Sequence, residues 1–162
     1  LRFMSNVIIV AGVSGSGKTT IGKLLAEKLN LDFKDADDFH PAANVEKMRS
    51  GLPLNDQDRA PWLTILAKKI EEWSSADGAV LACSALKEAY RKRLDVNKQV
   101  SWVFLDGSYE LLKSRMTARK NHYFKAELLQ SQLDTLEPAD YGIHVSIAPS
   151  PEEIVDEILK AL

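Results

Sequence analysis

A chain of 162 residues is about one domain long and can bury a full core. Its hydrophobic fraction of 45%, charged fraction of 27% and net charge of −2 fit an ordinary globular protein, with no general pull towards nucleic acid or anionic lipid. No apolar run nears the roughly 20 residues that span a bilayer, and Leu1-Arg-Phe-Met-Ser has no secretory core, so a protein with no membrane and no nucleic-acid partner is expected.

The first predicted element is the apolar strand Val7-Ile-Ile-Val-Ala11, followed at once by Gly12-Val-Ser-Gly-Ser-Gly-Lys18-Thr19. That octet satisfies G-x-x-x-x-G-K-[ST] at every fixed position. Ile21, Leu24, Leu25 and Leu29 then recur at helical spacing. Strand, glycine-rich loop and helix in this order make a phosphate cradle, because inward-turned N–H groups and a helix N-terminus together attract anionic oxygen. The expected ATP-binding set is Gly12, Ser14, Gly15, Ser16, Gly17, Lys18, Thr19 and Thr20. Lys18 is expected on the β- and γ-phosphates, and the Thr19 hydroxyl on Mg²⁺.

A short strand at Leu31-Asp-Phe33 leads into the acidic turn Asp35-Ala-Asp37-Asp38-Phe39-His40-Pro41. If the chain is still extended there, the carboxylates of Asp35 and Asp37 share a face. Beside a phosphate loop, Asp37 would orient an acceptor hydroxyl and take its proton, while Asp35 would contact metal-bound water. His40 is either a substrate donor or a turn cap. A short helix over 42–50 and a break at Gly51-Leu-Pro-Leu follow. A second helix opens at Asn55-Asp56-Gln57-Asp58-Arg59, with Pro61 expected in its first turn.

Ala79-Val-Leu-Ala-Cys83 reads as a third buried strand, and the lone cysteine as a small buried residue suited to a reducing cytoplasm. The turn Ser84-Ala-Leu-Lys87 opens a basic helix through Leu94. A strand from Val100 to Leu105, with Trp102 read like Trp73 as a surface residue, precedes a helix carrying Leu111, Leu112, Arg115 and Met116, and a further helix runs from Ala126 to Leu136. Gly142 to Ile147 is the last strand, and Pro151 starts the closing helix. Short apolar strands alternating with helices imply a parallel sheet covered on both sides, with the turns after the strands gathered on one edge.

Several of these segments carry a family resemblance. Asp35-Ala-Asp37-Asp38-Phe39-His40-Pro41 resembles the DGD-x-x-HP element of gluconate kinases, with Ala36 in place of the usual glycine. The run from Lys47 through Ser50-Gly51, Pro53-Leu54, Asp56, Asp58-Arg59 and Pro61-Trp62-Leu63 is similar to that family's most distinctive segment. Cys83-Ser84-Ala85-Leu86-Lys87 with Tyr90-Arg91 resembles its CSALK-x-x-YR motif. Arg115, Arg119, His122 and Phe124, then Leu128-Leu129 and Ser131-Gln132, resemble its lid and following helix, with Asn121 in place of a glycine. The resemblance covers nearly the whole chain.

It implies a single three-layer α/β/α P-loop kinase domain over 1–162, nucleoside monophosphate kinase-like, with a five-stranded parallel sheet. The acceptor region would span about 38–75 and a short lid about 118–125. It implies ATP- and Mg²⁺-dependent phosphorylation of D-gluconate on its terminal hydroxyl, and a cytoplasmic homodimer. By likeness to small P-loop kinases, Arg115 would flank the adenine and Arg119 would stabilise the transferred phosphoryl group. A polyol with a carboxylate needs a cation and several hydrogen-bonding groups. His40, Arg49, Arg59, Ser84, Lys87, Tyr90, Arg91 and His122 are the candidates alongside Asp37. Arg49 or Arg59 suits the carboxylate better than a lysine, because a guanidinium offers a bidentate fork. The alternatives are another small-acceptor kinase of shikimate or nucleoside monophosphate type, and a non-catalytic nucleotide switch. A shikimate kinase should show a glycine-rich turn where this chain has Ser84-Ala-Leu-Lys87.

Overall fold

The computed structural model describes residues 7–95, 97–118 and 126–162. Strand β1 (Val7–Ala11) is buried at every residue, as a β-branched run with no polar member requires. It lies at the centre of a five-stranded sheet of order β2-β3-β1-β4-β5, with β2 (Asp32–Asp35), β3 (Ala79–Ala82), β4 (Val100–Asp106) and β5 (Ile143–Ser146). Each strand pair is parallel, so all the loops leaving the strands emerge on one edge.

Among the described residues the seven α-helices are α1 (Lys18–Leu29), α2 (Ala42–Arg49), α3 (Asp56–Ser74), α4 (Glu88–Leu94), α5 (Tyr109–Ala118), α6 (Ala126–Thr135) and α7 (Pro151–Ala161). Alternate residues of β1 feed two separate cores. Ile8 and Val10 pack with Ile21 and Leu25 of α1, Leu112, Leu129, and Ile154 and Ile158 of α7. Val7, Ile9 and Ala11 face Trp62, Leu63, Leu66 and Ile70 of α3 and Leu94 of α4. The result is helix, sheet, helix, as the alternation of elements predicts. Helix α1 stops at Asn30, whose φ of 58° is the left-handed stop that asparagine tolerates.

Three local expectations are corrected. Backbone extension ends at Asp35, and residues Ala36–Phe39 form a 3₁₀ turn capped by the Asp35 carboxylate, which accepts from the Asp37 N–H. Asp35 and Asp37 are therefore not successive same-face residues of a strand. Ala36 is compatible with this turn because its φ is not positive. Helix α3 begins at Asp56 behind an Asn55–Asp58 capping box, which places Pro61 inside the helix and beyond its first turn. Trp102, expected at the surface, is buried and donates its indole N–H to Asp95 at 3.2 Å.

Arg91 is the largest correction. The resemblance puts it among the substrate cations, yet it is 2% exposed. Its Nε donates to the Ala85 carbonyl at 2.9 Å, and one terminal nitrogen donates to the carbonyls of Glu137 at 2.7 Å and Leu86 at 3.2 Å. Glu88 lies at 3.4 Å, and the guanidinium sits over the Phe104 ring at 5.1 Å. The five donors of a guanidinium make it the side chain able to tie two loops to one helix in this way. Ala85 itself has φ 42°, a conformation that turns its carbonyl to Arg91. Replacing Arg91 with methionine removes the donor to the Ala85 and Glu137 carbonyls, while the Leu86 carbonyl keeps the Glu137 N–H. Arg91→Met should cost roughly 3 kcal/mol and lower the melting temperature by about 10 °C in calorimetry.

Candidate active site

The loop after β1 has the backbone of an anion nest. Gly15 and Gly17 hold φ of 82° and 92°, which side-chain-bearing residues adopt only under strain. Gly12 is needed for another reason: a Cβ there would lie 2.7 Å from Ser16 Oγ. Gly15 meets both constraints at once, since a Cβ on it would also lie 2.7 Å from Met116 Cγ of α5. Ser16 is buried and its hydroxyl donates to the Val13 carbonyl at 2.7 Å, so it braces the loop from within. Lys18 folds back over the loop, donating to the carbonyls of Gly12 at 2.9 Å and Val13 at 3.0 Å. Burial pulls its pKa down, while Cys83, Asp37 and Asp35 oppose that shift. Thr19 and Thr20 are exposed at the start of α1.

A cleft of about 280 Å³ opens over this loop, lined by Ser14, Gly15, Gly17, Lys18, Thr19, Thr20, Asp35, Asp37, Ala82 and Met116. The phosphate loop and the acidic turn thus face one space, although the two carboxylates reach it from a capped turn. Asp35 is pushed up by burial, partly countered by the Asp37 N–H. Asp37 is held below the ordinary carboxylate range, first by His40. His40 Nε2 stands 3.5 Å from Asp37 Oδ1, and the Asp37 side chain is 82% exposed towards the cleft.

His40 is not an open substrate donor: its side chain is 3% exposed and stacks on Trp62 at 4.4 Å. Its tautomer is set by Asn44, which sequence reasoning did not single out. The buried Asn44 donates from Nδ2 to the Asp58 carbonyl at 2.9 Å and meets His40 Nδ1 at 3.2 Å. A donor on Nδ1 requires an unprotonated Nδ1, so the ring proton sits on Nε2, facing Asp37. Asn44 is four residues from His40 across a helix start, a spacing with no distinctive pattern in one sequence.

Two of the expected acceptor cations, Lys87 and Arg59, gather around Asp56, a carboxylate that sequence reasoning left unassigned. The Tyr90 hydroxyl donates to Asp56, Lys87 Nζ lies 3.4 Å from the same carboxylate, and Arg59 is 3.9 Å away. Lys87 and Arg59 also stand over the Tyr90 ring, at 5.6 and 5.7 Å. The Tyr90 hydroxyl, foremost, holds Asp56 down as a carboxylate. Burial, followed by Asp56, raises the Tyr90 pKa. Ser84 is half-buried. Arg49 is exposed at the end of α2, with no ion pair among the described residues. Arg115 reaches the Ala148 carbonyl at 3.5 Å in the loop after β5. Arg119 and His122 lie outside the described residues.

Cys83 is buried beneath the cleft with its pKa pushed up to about 12, chiefly by burial. A larger cavity of about 610 Å³ lies at the other end of the sheet, against the first residues of β4 and β5. Several of its polar side chains, including Glu88, Arg91 and Tyr141, are already paired, and it contains none of the loop residues.

The two constraints on Gly15 make it a sharp probe. Gly15→Ala should weaken nucleotide binding at least about tenfold by isothermal titration. Gly51→Ala, at φ 79° but with open space around its Cβ position, should cost stability alone.

Comparison with known proteins agrees with this geometry. The shikimate kinase family matches residues 14–162. A probable gluconokinase of Dictyostelium discoideum is 46% identical, covering 96% of this chain and 86% of its own length. A gluconokinase of Gluconobacter oxydans is 44% identical, covering 94% and 89%. The crystal structure of a gluconokinase from Sinorhizobium meliloti superimposes with a TM-score of 0.87 at 38% identity, covering 98% of this chain and 92% of that one. These likenesses extend over nearly the whole chain, and the chain belongs to the gluconokinase family, with the P-loop kinase fold that family shares with the shikimate kinases.

Proposed function

We propose that this chain transfers the γ-phosphoryl group of ATP to the terminal hydroxyl of D-gluconate, giving 6-phospho-D-gluconate and ADP. The observation that carries the reading is the shared cleft, in which Asp37 faces the phosphate loop. A donor cradle and a carboxylate acceptor of protons, side by side, are what alcohol phosphorylation requires. The turn Ser84-Ala-Leu-Lys87 favours gluconate over shikimate as acceptor, since it lacks the glycine-rich turn expected of a shikimate kinase.

In this mechanism the phosphates rest on the N–H groups of the loop, and Lys18 swings from the Gly12 and Val13 carbonyls to the β- and γ-phosphates. Asp37 orients the primary hydroxyl and takes its proton as the oxygen attacks phosphorus in line. His40 keeps Asp37 ionised and aimed. Arg59 and Lys87 receive the carboxylate end of the acceptor, with Arg49, Ser84 and Tyr90 available to its hydroxyls. Arg115 flanks the base, Arg119 meets the transferred phosphoryl group, and His122 completes the acceptor set from the lid, about 118–125. The cleft offers an exposed Thr19 hydroxyl and the Asp35 carboxylate, an oxygen pair that suits a Mg²⁺ carried in on the nucleotide with most of its waters. When bound, Mg²⁺ would neutralise charge on the β- and γ-phosphates. Cytoplasmic residence and homodimeric assembly belong to the same reading. The first is supported by the single buried cysteine and the second by the family resemblance. Among the described residues no helix is long and apolar enough to cross a membrane.

ADP release measured with and without acceptor tests the assignment. Gluconate alone among gluconate, shikimate and nucleoside monophosphates should stimulate it, and stimulation by shikimate instead would overturn the reading. Asp37→Asn should lower kcat by about two decades while ATP affinity is retained, and unchanged turnover would remove Asp37 from the base role.

A further inference from the structure

Ser14 belongs to the phosphate loop and lines the cleft, yet its N–H and hydroxyl are bonded to another part of the chain. Its backbone N–H donates to Gln132 Oε1 at 2.7 Å, and Gln132 Nε2 donates to Ser14 Oγ at 3.0 Å. The orientation of the amide is chemically forced. A backbone N–H can only donate, so the amide oxygen must face it and the amide nitrogen must face the hydroxyl. A residue 118 positions away in the chain therefore holds both polar groups of Ser14.

Gln132 is itself firmly placed. It lies in α6, whose Leu129 is fully buried in the core on the α1 side of the sheet. Just beyond that helix, the Glu137 N–H donates to the Leu86 carbonyl at 2.8 Å, and the Glu137 carboxylate accepts from the Glu88 N–H at 2.8 Å. The next residue of the loop is held from another side, because the space where a Gly15 Cβ would sit is filled by Met116 of α5. Ser14 and Gly15 are thus gripped between two helices, while the Ser16 N–H bonds to the Val13 carbonyl within the loop at 3.2 Å. The N–H groups of Gly15, Gly17, Lys18, Thr19 and Thr20 find no acceptor among the described residues. These remain for a ligand.

We propose that Gln132 is a positioning residue for nucleotide binding: by taking both polar groups of Ser14 it fixes the loop in the conformation that presents Gly15, Gly17, Lys18 and Thr19 to polyphosphate. It does not touch phosphate. Its amide substitutes for water at Ser14, so the loop is pre-arranged before the nucleotide arrives and loses less freedom on binding. The inference rests on the nucleotide half of the proposed function and is indifferent to the identity of the acceptor.

The test is the dissociation constant of Mg·ADP, measured by titration calorimetry on the full chain, with melting temperature recorded alongside. Gln132→Leu removes both hydrogen bonds at similar volume. It should raise the ADP dissociation constant roughly tenfold, the scale of one to two lost hydrogen bonds. The KM for gluconate at saturating ATP should stay within about twofold. If the leucine variant does not fold, Gln132→Met keeps the length and helix propensity of the side chain and is expected to show the same rise. A dissociation constant within about twofold of the parent overturns the inference even if the melting temperature falls, because that pattern marks a residue that only docks α6. Failure of the parent chain to bind ADP would overturn the nucleotide reading itself and this inference with it, whereas loss of gluconate specificity would leave the ADP comparison intact.

Discussion

A strand buried on both faces cannot carry polar side chains, and β1 is such a strand at the centre of this sheet. Every group able to do chemistry is therefore displaced to the loops where strands end. Because all five strands run the same way, those loops share one edge. The phosphate loop, the acidic turn after β2 and the Ser84–Lys87 turn after β3 meet there because β3 lies between β1 and β2. The site depends on that burial: the backbone of β1 is fixed at the level of its Ala11, and the glycines that follow begin from a rigid point.

Around this edge, charge is managed by burial and by short chains of donors. Lys18 is held over the Gly12 and Val13 carbonyls, near the two aspartates of the turn. Asp37 is held below the ordinary carboxylate range chiefly because the Nε2 edge of the His40 ring faces it, an orientation that Asn44 fixes from the other edge of the ring. On the acceptor side, Asp56 gathers Tyr90, Lys87 and Arg59 into one cluster. Under the proposed function, an acceptor carboxylate would meet cations already drawn together by an internal carboxylate and would compete with it.

The elements were legible in the sequence because their signals are local. β1, the glycine loop and α1 each follow from spacing alone, and the acidic-turn motif marked the segment that brings Asp35 and Asp37 to the cleft. What was not legible depends on groups distant in sequence or on a choice of direction. Arg91 carries the same charge whether it faces solvent or the interior, and only the convergence of the Ala85, Leu86 and Glu137 carbonyls turns it inward. The Asp35–Asp37 pair reads equally well as a strand end or as a cap, and the 3₁₀ turn decides between them. Gln132 sat in a recognised segment without a role, because its partner Ser14 lies 118 positions away.

The chain has one thiol, buried just after β3 and within electrostatic reach of Lys18. A sulfur kept protonated to about pH 12 by burial offers neither the nucleophile nor the access that peroxides and alkylating reagents need. Oxidative stress consequently has no handle on the nucleotide site through this residue.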